Sequence, residues 1–291
     1  MRVILFFVLS VSILLVTNTT YAVSKRILFI GNSYVAVNNL PNLMYQVAAS
    51  KGDTLVYDSN TPGGMTLAGH CTDLNTLTKI QLGNWDYVVV QAQSQEPSFS
   101  PTQVAVNTFP FAKKLDSIIL VTNPCPETIF YMTWGRKNGD AANCTAYPPV
   151  CTFEGMQQRL RESYIEMCQQ NQATCAPAGM VWKKIRNNHP ALELYQADES
   201  HPSELGSYAV ACCLYTTLFL KSSIGASFSP LSISSANALT IQTLSDATVL
   251  DSVENWQQYG KLPLAKYTYV TNGLNTTFQN TSIRATQYEW N

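Results

Sequence analysis

Two short stretches, separated by most of the chain, carry the residue types needed to make a hydroxyl reactive. One is Arg26-Ile27-Leu28-Phe29-Ile30-Gly31-Asn32-Ser33-Tyr34, an apolar run that ends on a serine; the other is Asp198-Glu199-Ser200-His201-Pro202. A serine becomes a good nucleophile only when a base takes its proton, and an imidazole serves best when a carboxylate fixes its tautomer. An aspartate on the same turn as a histidine supplies that carboxylate. Each stretch also has a plain structural use: Ser33 as a helix N-cap, and Asp198 and His201 as members of a turn that leads into Pro202. Their joint presence favours chemistry, with Ser33 as nucleophile, His201 as base and Asp198 as the acid that orients it.

The first stretch is not the Gly-x-Ser-x-Gly elbow, because Val35 stands where the second glycine belongs. Ile30-Gly31-Asn32-Ser33-Tyr34 instead resembles the first block of the SGNH (GDSL-like) hydrolases, and Asp198-Glu199-Ser200-His201-Pro202 resembles their last block, Asp-x-x-His-Pro. The resemblance runs from Arg26 to about Ala226. It implies an acyl-enzyme mechanism with the three roles just given, no metal and no organic cofactor. It also implies two further donors for the oxyanion. Pro62-Gly63-Gly64-Met65-Thr66 resembles the glycine block, with Gly64 the better placed of the two glycines and an ordinary Pro-Gly turn as the plain alternative. The third block departs from Gly-x-Asn-Asp: Gln91-Ala92-Gln93-Ser94-Gln95-Glu96 stands there. A glutamine amide offers the same N–H donors as asparagine, one methylene further out. Gln95 is nearest by counting, all three glutamines share a face if the segment is extended, and Gln93 is the choice made here. Further on, Trp134 is either a platform for a sugar ring, a wall of an acyl pocket or, more commonly for such a position, packing. Arg136 and Lys137 are cations for a substrate carboxylate or for solvent.

These residues need a scaffold that brings distant segments to one rim. Apolar, β-branched runs at Arg26–Ile30, Thr54–Asp58, Tyr87–Gln91, Glu127–Tyr131 and Thr174–Ala178 alternate with helix-like segments at Pro41–Lys51, Leu67–Leu82, Thr102–Leu120 and Thr152–Gln170. That alternation predicts an α/β fold: a three-layer, doubly wound, flavodoxin-like sheet of about five parallel strands, of the SGNH-hydrolase type. Ligands of such sheets bind beyond the carboxyl ends of the strands, where Gly31-Asn32-Ser33 falls. Pro202 and Ser203 start a helix with Leu205, Ala209, Cys212, Cys213 and Leu220 on its core side and Thr216 as a polar interruption, and a last helix is expected from Ser234 to Trp256. Tyr267-Thr268-Tyr269-Val270 and Thr276-Thr277-Phe278 flank Asn272-Gly273, a hairpin signal.

Composition sets the surroundings. Arg2, the apolar run Val3–Val16 and Asn18-Thr19-Thr20-Tyr21-Ala22 read as a secretory signal peptide cleaved after Ala22, leaving a catalytic domain over 23–258 and a C-terminal extension over 259–291. The chain is 46% hydrophobic and only 13% charged, with 18 Lys+Arg against 19 Asp+Glu, so there is no net field to draw nucleic acid or an anionic membrane. A small-molecule or carbohydrate ester is the expected partner, and stable membrane insertion is not. Eight cysteines behind a signal peptide suggest disulfides, with Cys144/Cys151 and Cys168/Cys175 close enough to close small loops and Cys212 or Cys213 a buried thiol. The scattered His70, His189 and His201 argue against zinc. Sequons occur at Asn143, Asn275 and Asn280. Small acyl esters, including O-acetyl groups on carbohydrate, are the expected substrates; a lipase or lysophospholipase of the same fold and a catalytically weak binding protein are the rivals.

Overall fold

The computed structural model describes residues 22–122, 127–257 and 267–281. The proposed signal peptide up to residue 21, Cys125 and parts of the C-terminal extension therefore lie outside the described residues. Five strands, β1 (Ser24–Ile30), β2 (Thr54–Asn60), β3 (Tyr87–Val90), β4 (Glu127–Tyr131) and β5 (Thr174–Ala176), form one sheet in the order β2-β1-β3-β4-β5. Every neighbouring pair is parallel. This is the doubly wound order expected from the alternation of strands and helices, and it places the switch in winding direction between β1 and β3.

Side-chain alternation along the strands builds the two outer layers. Ile27 and Phe29 of β1, with Val89 and Ile129, face a core shared with α2 (Leu40–Ser50), α8 (Ala178–Asn188), α9 (Glu204–Phe219) and α10 (Ser235–Val249). Leu28, Ile30, Val88, Val90 and Phe130 point the other way, toward α5 (Pro101–Asn107), α6 (Phe109–Thr122) and α7 (Phe153–Asn171). Two more short helices, α1 (Ser33–Ala36) and α3 (Leu67–His70), follow β1 and β2, and α4 (Leu74–Gln81) comes before β3.

Several expected elements are divided or differently placed. The segment Leu67–Leu82 is two helices, because Asp73 accepts from Thr76 N at 2.8 Å and starts α4 afresh. Thr102–Leu120 is likewise interrupted at Thr108, whose φ of −123° leaves the helical region before α6 begins. α8 was not expected; Val181, Trp182 and Ile185 carry its buried face, and their spacing was the available signal. α9 is buried on all sides from Gly206 to Phe219, so it has no polar face, and Thr216 donates its hydroxyl to Asp246 Oδ1 at 3.1 Å. Leu220 is not on its core side: it leaves the helix at φ +53° and is 43% exposed. The last expected helix divides into α10 and α11 (Val253–Gln257). β6 (Tyr267–Asn272) and β7 (Asn275–Asn280) form a separate antiparallel pair that turns at Gly273, φ +63°.

Cys144 and Cys151 are joined in a disulfide, which fits an oxidising compartment. Cys168 and Cys175, the other pair close in sequence, are both free thiols and fully buried, on α7 and β5. Among the described residues no helix is long and apolar enough to cross a membrane.

Candidate active site

β1 ends at Ile30, and the chain must turn at once into α1 without room for a side chain at the corner. A Cβ on Gly31 would lie 2.6 Å from Gln91 Oε1 and 2.8 Å from Val35 Cγ2. Asn32 then ties the corner together with three hydrogen bonds. Its Oδ1 accepts from Tyr34 N at 3.1 Å as the cap of α1, its N–H donates to Gln91 Oε1 at 2.9 Å, and its Nδ2 donates to Met65 O at 3.0 Å. A fourth anchor comes from beneath. His70 is fully buried, with Nε2 2.9 Å from the Gly31 carbonyl and Nδ1 2.7 Å from Thr76 Oγ1. A carbonyl can only accept, so Nε2 carries the proton. Burial lowers the imidazole's pKa, with the Gly31 hydrogen bond and the nearby Asp73 charge opposing. Ser33, the first residue of α1, is thereby presented at the β1/β3 switch.

The second stretch returns to the same rim. Tyr195 and Pro202 form an isolated bridge that closes the turn from Gln196 to His201, and Glu199 occupies the left-handed region at φ +60°. Asp198 Oδ1 accepts from Ser200 N at 3.1 Å and His201 N at 2.9 Å, while its Oδ2 meets His201 Nδ1 in a short hydrogen bond. His201 Nε2 stands 2.8 Å from Ser33 Oγ. Desolvation would raise the Asp198 pKa, but the hydrogen bonds from His201 and Ser200 outweigh it and hold the carboxyl below its ordinary value. The imidazole side chain is 32% exposed, so a substrate can approach it.

No family model and no curated protein matches the chain. Among solved structures, a DUF4886 family protein from Bacteroides uniformis superposes with a TM-score of 0.66 at 15% identity, covering 78% of this chain and 95% of that one. A candidate SGNH hydrolase from Slackia heliotrinireducens has a TM-score of 0.54 at 27% identity, over 67% of this chain and 99% of that one. The chain shares the fold of the SGNH hydrolases.

Gly64 lies in an exposed turn at φ +68°, closed by Met65 N donating to Pro62 O at 3.2 Å, and the Asn32–Met65 bond fixes that turn against the Ser33 corner. The three glutamines that follow from the end of β3 are not equivalent. Gln91 is fully buried, and its amide serves as structural mortar: Oε1 takes Asn32 N and Nε2 makes a short bond to Ala92 O. Gln95 commits its Nε2 to Asp140 Oδ2 at 2.7 Å. Gln93 Oε1 accepts from Gln95 N at 2.7 Å and Glu96 N at 3.2 Å, which fixes the amide plane, while its Nε2 makes only a 3.3 Å contact with Ser94 Oγ.

Trp134 is packing. It is fully buried and lies face to face with Trp182, centroids 3.9 Å apart, and with Tyr34 at 4.7 Å, both at 3°. Each such contact is worth about 1 kcal/mol beyond burial. Its indole N–H donates to Ser200 O at 3.1 Å, and the Tyr34 hydroxyl lies 2.6 Å from Ser200 Oγ. The stack thus links the residue after Ser33 to the residue before His201. No local sequence pattern marks Tyr34 or His70 for these contacts. Lys137 pairs with Glu193 at 2.6 Å, whereas Arg136 is half-buried beside Asp140.

Proposed function

We propose that this protein is a secreted serine hydrolase that cleaves small carboxylic esters through an acyl-enzyme. The observation that carries the reading is the single imidazole of His201 bridging the Asp198 carboxylate and the Ser33 hydroxyl. With the Nδ1 proton facing Asp198, Nε2 is left as an acceptor for the Ser33 proton.

In the first step Ser33 Oγ attacks the ester carbonyl carbon, its proton passes to His201 Nε2, and the carbonyl electron pair moves onto oxygen. Asp198 stabilises the imidazolium that forms. The Ser33 and Gly64 N–H groups and the Gln93 amide are the oxyanion donors we assign, each typically worth on the order of 10²–10³ in rate. Collapse of the tetrahedral intermediate breaks the bond to the alcohol, which leaves with the proton from His201. Water then repeats the sequence on the acyl-enzyme and returns Ser33.

The polar setting of the rim, with Ser94, Ser200 and the Tyr34 hydroxyl close by, supports short acyl groups, and O-acetyl esters of carbohydrate are the class we favour. Secretion is supported by the apolar N-terminal run and the Cys144–Cys151 disulfide. Turnover of p-nitrophenyl acetate and butyrate by the wild type and by Ser33→Ala is the test. Activity lost in the variant supports the assignment; equal rates in both proteins, or none in either, refute it.

A further inference from the structure

The segment after β4 holds a cation that acyl transfer does not employ. Arg136 keeps 30% of its side chain exposed, its Nη1 makes a 3.2 Å contact with Asp140 Oδ1, and its Nε is buried with no hydrogen-bond partner. Its counter-ion is shared. The Asp140 side chain is fully buried, and its Oδ2 also takes Gln95 Nε2 at 2.7 Å and Asn143 Nδ2 at 2.8 Å. Desolvation of this carboxyl is outweighed by those amides and by Arg136, which together hold it below its ordinary pKa and therefore ionised. Of the three side-chain contacts to this carboxylate, the one from Arg136 at 3.2 Å is the longest.

Three contacts place the residues that flank this arginine against the turn of Asp198 and His201. Trp134 Nε1 donates to Ser200 O at 3.1 Å, Lys137 N donates to Glu199 O at 2.9 Å, and Asn138 Nδ2 donates to Glu199 Oε2 at 2.8 Å. The backbone on both sides of Arg136 therefore runs along the turn that carries Asp198 and His201. On the other flank, the Gln95–Asp140 bond joins it to the loop of Gln93. Burial raises the Tyr34 phenol's pKa, while hydrogen bonds from Ser200 and Ser94 and the positive charge of Arg136 pull it back, so the guanidinium field reaches the residue next to Ser33. The neighbouring cation, Lys137, is already paired with Glu193.

We propose that Arg136, braced by Asp140 and Gln95, is the anion-recognition residue of the cleft, and that the ester it selects carries a carboxylate near the scissile bond, as an acetylated acidic sugar does. The inference rests on the assignment of Ser33 as nucleophile. A guanidinium with one corner tethered keeps further N–H donors for a charge-assisted bond to a carboxylate.

The test compares kcat/KM for two matched pairs: O-acetylated methyl galacturonoside against O-acetylated methyl galactoside, and monoethyl succinate against ethyl butyrate. The first pair puts the charge on the alcohol, the second on the acyl group. For one pair the wild type should prefer the acidic ester by about tenfold, the size of one charge-assisted bond. That ratio should shrink as salt rises, fall to within about twofold of unity in Arg136→Gln, and be partly kept in Arg136→Lys. A wild-type ratio near unity for both pairs, or an undiminished ratio in Arg136→Gln, overturns the proposal. If Arg136→Gln does not fold, the wild-type ratio and its salt response decide in the same way. Turnover of p-nitrophenyl acetate without any preference removes only the role of Arg136; no turnover of any ester removes the assignment of Ser33 itself.

Discussion

His201 Nε2 lies 2.8 Å from Ser33 Oγ across 168 residues of sequence, while its Nδ1 is held by Asp198 three residues away. One contact is long-range and depends on the whole sheet; the other is local to a turn. Replacing Asp198 by Asn keeps the shape of the turn but removes the charge and the preference for the productive tautomer. Asp198→Asn is expected to lower kcat by about 10⁴ with KM little changed. Steady-state kinetics on p-nitrophenyl acetate checks it, and a loss below tenfold would show that the carboxylate is not the orienting group.

The glutamine proposed as an oxyanion donor can be tested by kinetics. Gln93→Ala should cost on the order of 10²–10³ in kcat, because its amide is positioned by two backbone N–H groups and has no strong bond of its own. Gln95→Ala should cost far less on a neutral ester, since its Nε2 is committed to Asp140. A larger loss at Gln95 than at Gln93 would move the role to Gln95.

The corner before Ser33 has no room for a methyl group. Gly31→Ala would bring a Cβ within 2.6 Å of Gln91 Oε1, and Gln91 also holds Asn32 N. The expected result is a loss of about 1–3 kcal/mol in urea unfolding, together with a fall in kcat of about 10² as Ser33 is displaced. Unchanged stability and activity would mean that the Gln91 anchor is dispensable.

His70 gives the fold a dependence on pH. Its folded pKa is lowered by burial, against the pull of Gly31 and Asp73, so the unfolded chain takes up this proton first as the pH falls. The stabilisation from the neutral ring is complete above the ordinary imidazole value of about 6.5 and is lost progressively below it. Thermal unfolding should show Tm falling from pH 7 to pH 5 more steeply in the wild type than in His70→Gln, with the variant about 1–2 kcal/mol less stable at pH 7 from the altered Gly31 and Thr76 contacts. Parallel pH profiles for the two proteins would rule out this role.

The strands, their parallel arrangement and the place of Ser33 after β1 could be read from residue order, because apolar runs, helix starts and sheet connectivity obey local rules. The Asp198–His201 pairing was legible for the same reason, since it needs only one turn. The break at Asp73 was also written locally, in an aspartate three residues before Thr76, although the helical pattern across it was the stronger signal. What only the tertiary structure decided are the matters settled by groups distant in sequence. Gln91, Gln93 and Gln95 are alike as residues, and they differ because Asn32, two backbone N–H groups and Asp140 claim different atoms of each. Trp134 is packing because Tyr34 and Trp182 cover both of its faces. α9 is buried all round because other helices and the sheet enclose it, which no periodicity within the helix can announce. Hydrogen-bond allegiance and enclosure are properties of what stands opposite a side chain, and the chain acquires an opposite side only by folding.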